Sequence, residues 1–129
     1  MENSLDLFLN PHRKPHLKFK FETFGDAEFE MKILSAEEGA AASIESQEKG
    51  LKGISIYFPT LVGCLVTPDL HDTAFLNALS KREGHKIMSA IDALKTVFTS
   101  DEISSLIKIY DEYSSVTVDF SEKVEEVKN

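Results

Sequence analysis

Leu17, Phe19 and Phe21 alternate with Lys18, Lys20 and Glu22, and Phe29, Met31 and Ile33 alternate with Glu28, Glu30 and Lys32. A repeat of two places successive side chains on opposite faces, so two half-buried strands are predicted at about 17–24 and 27–34, with Gly25-Asp26 between them as the turn. A two-residue loop would set Phe21 against Glu30 and Phe19 against Lys32. An odd loop centred on Gly25 sets Phe21 against Phe29, Phe19 against Met31 and Leu17 against Ile33. It also faces Lys18 with Lys32 and Glu22 with Glu28. Burial of a whole apolar face outweighs those exposed like-charge contacts, so a three- or five-residue loop is expected. Both outer edges of the hairpin would keep unpaired amides and carbonyls to which a partner strand can add.

The rest of the chain follows helical spacing. A short helix over Ser4 to Leu9 is stopped by Pro11. Ser35-Ala-Glu-Glu38 has the form of a capping box, and the alanine-rich helix it opens runs to about Glu48 with Ile44 as its only large apolar residue. Gly50 and Gly53 follow, then the apolar run Ile54 to Val66, read as a central helix kinked at or starting near Pro59. Thr67-Pro68-Asp69 breaks it, and a short helix is expected from about Asp72 to Lys81. Beyond Gly84, Ile87, Ile91, Leu94 and Phe98 form an amphipathic stripe. Thr99-Ser-Asp-Glu102 is a second capping box, followed by Ile103, Leu106, Ile107 and Tyr110 on one face. Asp119-Phe-Ser-Glu122 would begin a last short helix.

The expected fold is therefore α+β and mainly α, an N-terminal antiparallel hairpin followed by about five short helices packed as a small bundle. A single domain over 1–129 is expected, with an arm at 1–16, the hairpin at 17–34 and the helical part at 35–129.

Charge sharpens this picture. Of 129 residues, 14 are Lys or Arg and 22 Asp or Glu, a net charge of −8. Such an excess of acid speaks against general nucleic-acid binding, which needs cations to displace phosphate counterions. The charge is also polar along the chain. Residues 11–20 hold Arg13, Lys14, Lys18 and Lys20 with no acid, while residues 101–126 hold eight acids against two lysines. This asymmetry suits weak head-to-tail self-association, or else two solvated faces that never meet. The start lacks the basic and apolar blocks of an export signal, and the run Ile54 to Val66, about 20 Å as a helix, is too short to span a membrane.

No catalytic motif is visible: there is no phosphate-binding glycine loop, no nucleophile elbow and no zinc-protease helix. The spacing of His12 and His16 would align metal ligands only on a helix, which Pro11 and Pro15 disfavour, so basic surface is expected instead. His71, Asp72 and Asp69 fit a turn and a helix cap. Cys64 lies in an apolar run and is expected to be buried and inert. No cofactor is expected, and no catalytic residue. The candidates that remain are for protein contact: Arg13 and Lys14 in the basic arm, Phe24 at the hairpin tip where few intramolecular neighbours are expected, and Tyr110 and Tyr113 beside the acidic surface.

Four segments stand out in order: Leu61-Val62 through Val66-Thr-Pro-Asp-Leu70, Asp72 with the helix after it, Asp101-Glu102 through Leu106 and Tyr110-Asp-Glu112, and Phe120 with Glu122 through Val124-Glu-Glu-Val-Lys-Asn129. In these the chain resembles the XkdN-like tail assembly chaperones of long-tailed bacteriophages and prophages. The link through Gly50 and Gly53 is shorter than in the family, and Lys81 to His85 is more polar. The resemblance implies a non-catalytic protein of the bacterial host cytoplasm, absent from the mature virion. Its implied partners are the tape-measure protein, which it would solubilise, and tail-tube subunits, in many phages through a longer frameshifted form. The alternative is a small acidic phage-encoded inhibitor or DNA mimic that binds a basic host protein.

Overall fold

A computed structural model describes residues 3–121. The fold is α+β and mainly α, with an N-terminal antiparallel hairpin followed by helices, and a strand from mid-chain that extends the hairpin to a three-stranded antiparallel sheet. In order, the regular elements are α1 (Ser4–Leu9), β1 (Leu17–Phe19), β2 (Phe29–Met31), α2 (Ala36–Glu48), α3 (Phe58–Cys64), β3 (Leu65–Thr67), α4 (Thr73–Glu83), α5 (Ala90–Val97) and α6 (Ser100–Ser114), with 3-10 turns at Glu22–Phe24 and Gly53–Tyr57. Among the described residues, five α-helices therefore follow the hairpin.

The helix starts are set by local hydrogen bonds. Ser35 Oγ accepts from the Glu38 amide while the Glu38 carboxylate accepts from the Ser35 amide, and Thr99 and Glu102 do the same at α6. Asp72 caps α4 through the Phe75 amide. Gly84 ends α4 at φ +78°, a left-handed conformation that glycine adopts without a Cβ penalty.

The hairpin keeps the expected parity but not the expected register. Leu17 pairs with Met31, Lys18 with Glu30 and Phe19 with Phe29. This is a two-residue shift from the arrangement centred on Gly25, so apolar residues still face apolar ones while Lys18 now faces an acid. Lys18 Nζ also lies 3.9 Å from Glu28, and His16 Nδ1 lies 2.7 Å from Glu30. The strands are three residues each, and the connection is the longer stretch 20–28 with its 3-10 turn rather than a three- or five-residue loop. The shift lets Phe21 and Phe24 fold over the sheet instead of extending β1. Ile33 lies beyond β2 and reaches the surface.

The apolar run Ile54 to Val66 is not one helix. It begins as a 3-10 turn, becomes α3 with Pro59 in the first turn, and ends as β3. Pro59 lacks an amide that the first helical turn would leave unbonded anyway. After Cys64 the backbone pairs with β2, where Glu30 faces Thr67, Met31 faces Leu65 and the Lys32 amide donates to the Cys64 carbonyl at 2.9 Å. β3 thus covers the β2 edge that had been expected to stay open. The peptide bond Thr67–Pro68 is cis.

One buried cluster joins Phe29 and Met31 of the sheet to Phe58, Leu61 and Leu65 and to Leu70, Leu79, Ile91, Leu94, Phe98, Ile103 and Leu106. The stripe Ile87, Ile91, Leu94 and Phe98 is buried throughout, as its spacing predicts. Cys64 is fully buried. The alanine-rich α2 contributes only Ala42 and Ser46 to the interior. Residues 115–120 are not helical, and the remainder of the expected last helix lies outside the described residues.

Candidate protein-binding surface

The basic arm is tied down at one point. Lys14 Nζ donates to the Tyr113 carbonyl at 2.8 Å and the Ser115 carbonyl at 2.7 Å. These carbonyls lie at the C-terminal end of α6, where backbone dipoles leave partial negative charge and where α6 has no basic residue in its own last turn. Lys14 supplies that cation from the other end of the chain. Beside it, Tyr113 Oη donates to the Pro15 carbonyl. Burial raises the Tyr113 phenol above its ordinary value. Tyr110 is half-buried and its Oη accepts from the Leu34 amide at 3.2 Å. At the opposite end of α6, Thr23 Oγ1 donates to the Glu102 carboxylate at 2.6 Å. The stretch 15–23 therefore runs antiparallel along α6.

Of the five residues expected to contact partners, Lys14 and Tyr113 are thus brought together in an intramolecular strap, Tyr110 braces the start of α2, and Arg13 is exposed on the arm. Phe24 is a correction. It is not a lone ring at a tip but a half-buried member of an aromatic cluster, with ring centroids 5.4 Å from Phe29 and 5.5 Å from Phe98. The long connection bends it inward.

The outer surface carries large apolar side chains in three short tracts. On α1, Leu5, Phe8 and Leu9 are 64%, 84% and 68% exposed, and no α1 residue is buried. In the turn Gly53–Tyr57, Ile54, Ile56 and Tyr57 are all exposed. Ile54 and Tyr57 stand three apart and so stack along one edge of a 3-10 turn. That turn is held by Ser46 Oγ, which donates to the Ile56 carbonyl at 2.6 Å. In the third tract, Val116, Val118 and Phe120 are exposed at alternate positions. Ile54, Ile56 and Tyr57 were expected inside the central helix. A uniformly apolar run has no period to show which of its residues face water.

A groove of about 280 Å³ opens between α2, α3, α4 and the start of α5. Val62, Leu76 and Ile91 form its apolar floor, Met88 stands at its rim, and the Glu45–Lys49 ion pair, 2.9 Å apart, edges one side. Ile44 is on the outer face of α2, about 200° round the helix from Ala42 and Ser46.

No family model, curated protein or solved structure matches the chain.

Two acidic groups are held in the charged form below the usual carboxylate range. The Glu38 carboxyl is pushed down to about 2, first by the Lys32 ammonium 2.8 Å away and then by the Ser35 amide. Glu102 is lowered by the Thr23 hydroxyl and the Thr99 amide. Burial pushes the Cys64 thiol up to about 12, so no nucleophilic thiolate forms there. Among the described residues no group of three or more His, Cys, Asp and Glu side chains is placed to hold a metal ion, and no helix is long and apolar enough to cross a membrane. The surface offers exposed apolar side chains on a chain of net charge −8.

Proposed function

We propose that this protein is a non-catalytic tail assembly chaperone of a long-tailed phage or prophage. It would bind the tape-measure protein in the host cytoplasm, help recruit tail-tube subunits around it and leave before the virion is complete. The observation that carries this is the distribution of exposed apolar side chains. Among the described residues, most of them lie on α1, on the turn Gly53–Tyr57 and on residues 116–120, with Ile33, Ile44 and Met88 standing apart. Concentrated exposed apolar surface marks an interaction site. Three small tracts suit a long amphipathic helix better than one deep pocket would. Each contact is weak and reversible, and many contacts along one client multiply. A net charge of −8 keeps such a surface soluble.

The segments that resemble the XkdN-like family support the same proposal. Leu61 to Leu70 covers most of α3, all of β3 and the turn after it, directly following the exposed turn Gly53–Tyr57 and α3's first residues. The competing proposal, a DNA mimic, calls for acids arrayed like phosphates along one face. Glu38, Asp72 and Glu102 are instead spent on helix starts.

Co-expression with a fragment of the tape-measure protein encoded by the same genome tests the proposal. The fragment is expected to become soluble and to co-purify with this chain. A fragment that stays insoluble, together with displacement of nucleic acid from a basic protein by the purified chain, would favour the mimic.

A further inference from the structure

We infer that two copies of this chain pair through residues 116–120, which form an antiparallel two-stranded ribbon about a two-fold axis at Val118, with the two α1 helices laid over its apolar face. This goes beyond the client proposal and does not depend on it: it says where the same apolar side chains go when no client is present.

The segment has the pattern of a strand and no sheet to join. Val116, Val118 and Phe120 alternate with Thr117 and Asp119, a repeat of two rich in β-branched and aromatic residues. α6 ends at Ser115, whose backbone is already extended at φ −61° and ψ 144°. Beyond it the three apolar side chains are 82%, 62% and 78% exposed, and among the described residues no backbone hydrogen bond involves 116–120. On the chain's own sheet, the edge nearest the end of α6 is β1. α6 already lies against the chain leading into it, with Tyr113 Oη donating to the Pro15 carbonyl.

What names the occupant is the segment's self-complementarity. Antiparallel copies crossing at Val118 set Val118 against Val118, Val116 against Phe120 and Thr117 against Asp119. Apolar then meets apolar on one face, and hydroxyl meets carboxylate on the other. Crossing at Asp119 would oppose two carboxylates, and crossing at Thr117 would leave Phe120 opposite Ser114. A register centred between residues would put apolar against polar throughout. The contact uses the same patch on both copies, so it closes as a dimer.

Two strands alone are marginal in water and need cover on their apolar face. α1 is leashed to the place where that cover is needed, because Lys14 Nζ holds the Ser115 carbonyl at 2.7 Å. Leu9 precedes Lys14 by five residues, a reach of at most about 18 Å, and 116–120 spans about 17 Å as a strand. Leu5, Phe8 and Leu9 stand at i, i+3 and i+4, so they give α1 one exposed apolar face. Covering these side chains with Val116, Val118 and Phe120 removes about 400 Å² of apolar surface per copy. At the usual apolar share of an interface the pair buries about 1,300 Å². That lies at the low end of specific interfaces and makes a weak dimer. Concentrated chain pairs, while dilute chain keeps the tract open for a client.

Sedimentation velocity of the purified chain without any client, over a concentration series, tests the pairing, and cysteine cross-linking tests its register. The wild type is expected to pass from monomer to dimer and no further. Val118→Asp opposes two carboxylates at the axis, and Phe8→Asp removes the cover. Each is expected to lose at least ~10-fold in affinity. Both positions are exposed in the single chain, so far-UV circular dichroism is expected to match the wild type. On mild oxidation the Val118→Cys chain is expected to cross-link to itself, since directly opposed Cβ atoms lie about 4.5–5.5 Å apart. Thr117→Cys and Asp119→Cys are expected to cross-link to each other but not each to itself, their like positions being about 7–8 Å apart. Cys64 is buried and takes no part. A wild-type chain that stays monomeric at every concentration would overturn the proposal. So would association that survives either aspartate substitution, or cross-linking that does not distinguish the three positions. None of these outcomes bears on client binding, which co-expression assays separately.

Discussion

Replacing Phe24 by alanine separates a structural ring from an exposed one. The ring is half-buried and packs between Phe29 and Phe98 at centroid distances of 5.4 and 5.5 Å, with Phe21 at 6.5 Å. Full burial of a Phe side chain is worth ~1.5–3 kcal/mol, so a half-buried one contributes about 1–1.5. The two close ring contacts add about 1 kcal/mol beyond area. The cavity left behind opens toward solvent and refills, so little more is lost. The expected total is about 2–2.5 kcal/mol. For a chain of 129 residues, an unfolding entropy of about 2.1 cal/mol/K per residue converts this into a fall in Tm of roughly 7–9 °C. Urea unfolding followed by circular dichroism gives the free energy directly, and Phe24→Leu, which keeps most of the apolar volume, should lose about half as much. An exposed aromatic at a loop tip would instead change stability by less than ~0.5 kcal/mol. A Phe24→Ala loss that small would show that the aromatic cluster does not hold the hairpin to α5.

Three further predictions address the arm, the carboxylates and the thiol. Lys14→Met and Tyr113→Phe each remove part of the strap at the end of α6, at a cost of about 1 kcal/mol or less, and the double variant should cost little more than either single one because both hold the same segment. Limited trypsin digestion after Arg13 should quicken in all three, and full additivity with unchanged cleavage would refute the strap. Glu38 and Glu102 have lower pKa values folded than unfolded, so the unfolded chain binds more protons below the ordinary carboxylate value of 4.5, for Glu38 down to about 2. Stability should therefore rise with pH across that window and fall as acid is added; Glu38→Gln and Glu102→Gln should flatten the dependence seen in acid-titrated thermal melts. Cys64 should react with a thiol reagent only as fast as the chain opens, and rapid stoichiometric labelling of the native protein would contradict its burial.

How far the sequence reached depended on the range of the interactions involved. Ser35 with Glu38, Thr99 with Glu102, and Asp72 with the Phe75 amide act within one turn, and each was readable at its position. The parity of Phe19 against Phe29 was likewise readable, because a one-residue slip would expose a whole face. The two-residue register shift was not. It preserves parity, and it is favoured by where the rings pack, Phe21 against Phe19 and Phe29 and Phe24 against Phe98 at the distant end of α5. β3 also escaped notice, because it answers the bonding needs of the β2 backbone rather than a pattern of its own side chains. Lys14 and Tyr113 were expected to contact a partner; the structure places both in an intramolecular strap, which the sequence did not show because the helix end it ties lies about a hundred residues from the arm. The exposed turn Gly53–Tyr57 was hidden inside an unbroken apolar run.

On the proposed function, the exposed apolar tracts receive a helical client. Hydrogen exchange of this chain, alone and with a co-purified tape-measure fragment, measures that contact residue by residue. Slower exchange is expected in the turn Gly53–Tyr57 and at residues 116–120, and should be abolished by Ile56→Asp combined with Val118→Asp while the core exchanges as before. Unchanged exchange in both tracts, or equal protection in the doubly substituted chain, would contradict the claim.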